Sequence, residues 1–150
     1  MVSPFVIRTA TAADFDAWLT LWRGYQAFYK VDIAEAVSKQ TWARLLDANE
    51  PMHVALALRD GKPVGLVHYI FHRSTWTTGN YCYLQDLYVE ASERGQGSGR
   101  ALIEHVYAEA KAADASRVYW LTHESNDTAI KLYDAIADRP GFIQYRKNMG

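Results

Sequence analysis

The run Arg94-Gly95-Gln96-Gly97-Ser98-Gly99 carries the clearest chemical signal in the chain. Glycines at alternate positions permit positive φ and leave no Cβ in the way of a ligand. An apolar run at residues 81–89 precedes it, and an apolar-periodic segment at 100–110 follows it. That is a strand, a glycine-rich turn and a helix. The first amides of a helix have no intrahelical acceptor, and the helix dipole is positive at that end. Together they suit a phosphate or pyrophosphate. A flexible connection with a glycine-rich helix start is the plain alternative. Two familiar anion loops fail on spacing. No Gly-Lys-Ser/Thr tripeptide is present, and glycines spaced two and two do not fit Gly-x-Gly-x-x-Gly.

The elements that position this loop follow from local patterns. Residues 5–8 form a strand candidate. Thr11 and Asp14 form an imperfect capping box before the helical spacing of Phe15, Trp18, Leu19 and Trp22, which Gly24 could end. Residues 41–46 form a second helix with Trp42, Leu45 and Leu46 inward. Strands at 52–58, 64–72 and 81–89 make a meander, turning at Asp60-Gly61 and at 74–80. After the loop come a helix with Leu102, Val106 and Ala110 on one face and a strand at 117–122. A helix at 126–137 follows, with Ala129, Leu132, Tyr133 and Ile136 in a stripe, and then a strand at 142–145. A right-handed crossover makes the strand at 117–122 parallel to that at 81–89, giving a mixed sheet with helices on both faces.

The 150 residues suit one domain spanning 1–150, and 49% hydrophobic residues suit a globular core. A formal charge of −1 gives no basic character for nucleic acid. No apolar run reaches the roughly 20 residues of a membrane helix, and Met1 to Arg8 does not read as a signal peptide. The single cysteine, Cys82, suits a reducing cytoplasm. His53, His68, His72, His105 and His123 lack ligand spacing, so no metal is expected; His72 and His123 fall near strand ends, where they could relay protons, with surface or hydrogen-bonded histidines the plainer reading.

The order of elements, with Arg94-x-x-Gly97-x-Gly99 after the fourth strand, resembles the GNAT superfamily of acetyl-CoA-dependent N-acetyltransferases. A second block fits the same pattern: Asn126, Ala129, Leu132-Tyr133 and Gly141-Phe142, following Val118-Tyr119-Trp120-Leu121-Thr122. The strand Tyr83-Leu84-Gln85-Asp86-Leu87-Tyr88-Val89 is similar to that of diamine acetyltransferases and of the yeast histone/polyamine and D-amino-acid acetyltransferase group. The resemblance implies an α/β (α+β) fold: a mixed, mostly antiparallel, twisted sheet of six to seven strands flanked by about four helices. It implies acetyl-CoA as cofactor, an amine acceptor and a cytoplasmic enzyme, and dimers are common among relatives.

Carried onto this sequence, the resemblance pairs the backbone of Leu87, Tyr88 and Val89 with the pantetheine arm. It places the amides of Gly95, Gln96, Gly97, Ser98, Gly99 and Arg100, beside Arg94, on the pyrophosphate. Asn126 and Ala129 line the cofactor arm, and Tyr133 lies near the thioester sulfur. Amine acetylation must neutralise an alkylammonium of pKa about 10.4, stabilise an oxyanion and protonate a thiolate. The Leu87 amide is the oxyanion candidate and Tyr133, a phenol of ordinary pKa about 10, the acid candidate. Tyr133 also reads as a packed helix aromatic, and Asn126 as a helix cap.

Asp86 could pair with the cationic amine or relay its proton; a backbone-bonded strand-end carboxylate is the other reading. Strand alternation places it opposite Gln85 and Leu87. Gln85 stands where diamine acetyltransferases carry glutamate, which weakens the case for a polyamine. Tyr25 and Tyr29, with Phe28, could wall the acceptor pocket or simply pack. With Cys82 on a strand, direct attack by the amine in a ternary complex is expected. The competing readings are a non-catalytic acyl-CoA-binding module and an interaction protein with no coenzyme A affinity.

Overall fold

The structure is a computed structural model and describes residues 4–150. Met1 to Ser3, the start of the stretch read as lacking a leader, lie outside the described residues. The chain divides into two compact units, one ending at Trp120 and one running Leu121–Gly150.

In the first unit β1 (Phe5–Thr9), β2 (Met52–Arg59), β3 (Lys62–Arg73) and β4 (Asn80–Val89) are antiparallel neighbours. β5 (Val118–Tyr119) joins β4 in parallel. The sheet order is β1-β2-β3-β4-β5. Both central residues of the β2–β3 turn, Asp60 and Gly61, have positive φ, as the Asp-Gly pair predicts. One face carries α1 (Phe15–Tyr29) and α2 (Glu35–Leu45), whose Trp18, Leu21, Trp22 and Trp42 pack on Val54, Leu56, Leu58 and Leu66. Against β3 and β4 also lies α3 (Ser98–Ala112), burying Leu102, Ile103, Val106 and Ala110.

The start of α1 is built by Asp14. Its carboxylate accepts the Thr11 backbone N–H at 2.7 Å and holds Arg8 at 2.7 and 3.0 Å. The Arg8 bond, together with the Thr11 bonds, holds the carboxyl well below the usual range. A depressed carboxylate contributes stability that is complete at neutral pH and lost as the pH falls below about 4. Replacing Asp14 with alanine is expected to cost about 1–2 kcal/mol at pH 7. Thermal melts of the two proteins check it, and their midpoints should converge in acid.

Several expectations need correction. Gly24 does not end α1, which continues to a left-handed Lys30 at φ 55°. A Cβ on Gly24 would sit 2.7 Å from the Tyr88 hydroxyl oxygen, so the glycine allows close approach of helix and strand. The second helix begins six residues before the expected Thr41, and Leu46 is its exposed cap. Six to seven strands were expected, and among the described residues five are formed. The expected strand at 117–122 shrinks to Val118–Tyr119, because β4 pairs with it only at Cys82 and Tyr83.

In the second unit α4 (Asp127–Ile136) places Ala129, Leu132, Tyr133 and Ile136 half-buried along one stripe. The expected strand at 142–145 is not formed: Phe142, Ile143 and Tyr145 are exposed and no ladder includes them. An apolar pattern alone does not make a strand where no neighbour accepts its hydrogen bonds.

Candidate active site

The site is organised by an irregularity in β4. Tyr69 pairs with Leu84, but the next residue back along β3, His68, pairs with Asp86. Gln85 is the extra residue of a β-bulge and is exposed. His68 and Tyr69 point to opposite faces. Leu84 and Asp86 therefore do too, although two residues apart. Leu87, opposite Val67, lies on the face opposite Asp86, as simple alternation gives; Gln85 drops out of that alternation.

The bulge also sets the backbone. Glu90 N donates to Val64 O at 2.9 Å, so bonded pairs in this ladder recur at Tyr88–Leu66 and Asp86–His68. The N–H and C=O of Leu87 and Val89 therefore point away from β3. On that side β5 pairs no further than Tyr83, so among the described residues no strand covers them. The Val89 carbonyl is met by Arg94 Nε at 3.1 Å.

The glycine loop follows. Gly95 and Gly97 have φ of +82° and +83°, and nothing lies within 4 Å of where a Cβ would stand on either. The first bond of α3 runs from Ala101 N to Gly97 O at 3.0 Å. The amides of Ser98, Gly99 and Arg100 thus open the helix with no intrahelical acceptor. Glu93, buried under the loop, accepts from Arg59 Nε at 2.6 Å and from Ser98 Oγ at 3.0 Å. This ties the loop to the end of β2, a support that sequence reading missed because Arg59 and Glu93 are far apart in the chain. Arg94 lies over the Phe28 ring, 4.9 Å from its centre. Gln96 is exposed, and Arg100 bonds Glu104 at 2.8 Å on the surface.

On the α1 face, Asp86 is buried and bonded by His68 Nδ1 at 2.9 Å. Burial, and then the Asp86 charge and a hydrogen bond to it, raise the Tyr25 phenol far above its ordinary pKa. Tyr29 is raised by burial and by Asp86, with Arg94 opposing. Tyr25 and Tyr29 rings lie 4.7 Å apart. The structure thus brings together Asp86, Tyr25, Tyr29 and Arg94. Sequence reading missed His68; its only signal was a place on the strand next to β4. His72 Nε2 instead meets Tyr119 Oη at 2.7 Å, and His123 bonds Ser125 in an exposed turn. A concavity of about 480 Å³ opens between α1 and α2, but neither tyrosine nor Asp86 lines it.

Asn126 is the N-cap residue of α4, and its carbonyl accepts Ile130 N at 3.0 Å. Ala129 and Tyr133 lie on the half-buried stripe of that helix. Cys82 is fully buried, and burial pushes its thiol up to about 12, which leaves no thiolate at neutral pH. Among the described residues no cluster of three His, Cys, Asp or Glu could hold a metal, and no helix is long and apolar enough to cross a membrane.

An open, glycine-rich helix start beside a strand edge that no described strand covers is the arrangement that comparison with known proteins places in a class. The acetyltransferase (GNAT) family profile matches residues 15–137, and the chain belongs to that family. It is an acetyl-CoA-dependent N-acetyltransferase. The chain is 34% identical over 145 residues to D-amino-acid N-acetyltransferase HPA3 of Saccharomyces cerevisiae, covering 95% of this chain and 90% of that protein. It is 30% identical over 88 residues to thialysine N-epsilon-acetyltransferase of Caenorhabditis elegans, a match spanning 59% of this chain and 54% of the relative. In fold it resembles aminoglycoside N-acetyltransferase AAC(6')-Iy, solved in complex with CoA, at TM-score 0.84 and 18% identity over 99% of this chain and 98% of that one.

Proposed function

We propose that the acceptor is an amino-acid-type primary amine, with Asp86 holding its ammonium group beside Tyr25 and Tyr29. The observation that carries this reading is the buried Asp86 carboxylate, bonded by His68 and facing the two phenols. The similarity to a D-amino-acid N-acetyltransferase supports it, and thialysine acetyltransferases point to the same kind of amine. Gln85, exposed in the bulge, lies next in the chain to Asp86 and borders the same acceptor. The test is a panel of D- and L-amino acids, thialysine, polyamines and lysine peptides, followed by release of free thiol. Amino acids turning over fastest support the reading, and a polyamine or peptide preference overturns it.

Acetyl-CoA supplies an activated acyl group, and the chain's own parts meet its demands. The outward N–H and C=O of Leu87 and the N–H of Val89, with Tyr88 between them, bind the arm as an added strand, and the Leu87 amide faces the developing oxyanion. Gly95, Gln96, Gly97, Ser98, Gly99 and Arg100 offer the diphosphate their amides, with Arg94 alongside. Asn126 and Ala129 take the arm, and Tyr133 gives the leaving thiolate its proton; these roles rest on the family pattern. Direct attack by the amine fits a Cys82 held as a thiol. A cytoplasmic location and a homodimer complete the reading, and sedimentation of the purified protein tests the second.

Gly97→Val adds a branched side chain to the open cradle at a positive φ that valine resists. Acetyl-CoA affinity is expected to fall at least about tenfold, the equivalent of about 1.4 kcal/mol. Calorimetry with coenzyme A checks it, and retained affinity would count against the cradle.

A further inference from the structure

Behind Asp86 runs a buried hydrogen-bond chain. Trp18 Nε1 donates to His68 Nε2 at 2.9 Å, and His68 Nδ1 meets Asp86 Oδ2 at 2.9 Å. The three residues are 0%, 4% and 9% exposed, so water has little access to compete for these bonds. An indole N–H can only donate. His68 Nε2 is therefore the accepting nitrogen, and the single ring proton of a neutral imidazole sits on Nδ1, aimed at the carboxylate; the bond partners assign this tautomer. A second proton on Nε2 would confront the indole N–H. Among the described residues the ring's hydrogen bonds run to Trp18 and Asp86; around it α1 contributes the Trp18 and Trp22 rings, the latter 4.9 Å away, and β2 contributes Val54. β4 contributes Asp86, which itself faces the neutral phenols of Tyr25 and Tyr29.

We propose that Trp18 and His68 are positioning residues for the acceptor amine: Trp18 keeps the imidazole neutral, and the imidazole holds Asp86 ionised and turned toward Tyr25. This rests on the reading of Asp86 as the anchor of the ammonium. The reason for such a chain is electrostatic. A histidine touching a carboxylate ordinarily gains a proton and forms an internal ion pair. That pair would cancel the charge that attracts the substrate. With Nε2 occupied by the indole, no second ring proton is accommodated beside Asp86 to offset its charge.

The decisive variant is Trp18→Phe, which keeps an aromatic ring and removes the donor. His68 Nε2, relieved of the indole N–H, is then free to take a proton. The amine KM of Trp18→Phe is expected to rise about tenfold between pH 8 and pH 6 while kcat changes little, against a flat wild-type KM. Adding His68→Asn, whose amide N–H replaces the Nδ1 donor but cannot protonate, should flatten the profile again. A folded Trp18→Phe enzyme whose KM runs parallel to wild type overturns the proposal.

If Trp18→Phe does not fold, nitrogen NMR of ring-labelled histidine in the wild-type protein decides instead. Nδ1 protonated and Nε2 bare from pH 5.5 to 8 is expected, and a His68 that titrates in that window overturns the proposal. Asp86→Asn, measured alongside, separates the levels. An unchanged amine KM there removes the anchor reading and this proposal with it. A raised KM there, with Trp18→Phe flat, removes this proposal alone.

Discussion

Asp86→Asn is expected to lower kcat/KM for the amine about 100-fold, mostly through KM, while acetyl-CoA affinity stays near wild type. The substitution is nearly isosteric. Its amide oxygen can still accept from His68 Nδ1, so the bond at the bulge survives and only the charge is lost. Breaking a buried, hydrogen-bonded charge pair typically costs about 2–5 kcal/mol, and a 100-fold loss is about 2.7 kcal/mol. The donor side should be spared because Leu87 and Val89 offer backbone groups and point away from Asp86. Steady-state kinetics at fixed saturating acetyl-CoA, with calorimetry for the donor, check both halves. An amine KM equal to wild type would remove Asp86 from the acceptor site.

Tyr133→Phe is expected to lower kcat about 100-fold or more, the usual scale for losing a general acid. The ring and its place on the α4 stripe are kept, so donor affinity should change little. A burst of product ahead of a slow steady state would show that release, not chemistry, limits turnover. The comparison is therefore made on single-turnover rates. An unchanged single-turnover rate would leave the thiolate to be protonated by another group.

Much of this enzyme is written locally. Asp60-Gly61 turns where such a pair must, and Gly95 and Gly97 take the positive φ their letters permit. The α3 stripe of Leu102, Val106 and Ala110 is buried as its spacing predicts. What escapes is set by long-range register. A straight ladder from Arg73–Asn80 onward would set His68 against Gln85, and only the inserted residue brings it to Asp86. No local pattern announces that insertion, so His68 and its Trp18 partner stay silent in the letters. Gly24 misleads for a related reason: its missing Cβ serves Tyr88, 64 positions away, and not its own helix. The tail at 142–145 errs the other way, with suitable residues that no ladder among the described residues includes.

The contact at Gly24 has an evolutionary consequence. On the proposed assignment, Tyr88 lies on the donor's strand and Tyr25, the next residue after Gly24, in the acceptor's wall, so any change that adds bulk at this one position would be felt by both ligands. Selection for a new amine would therefore be channelled away from this position on the helix.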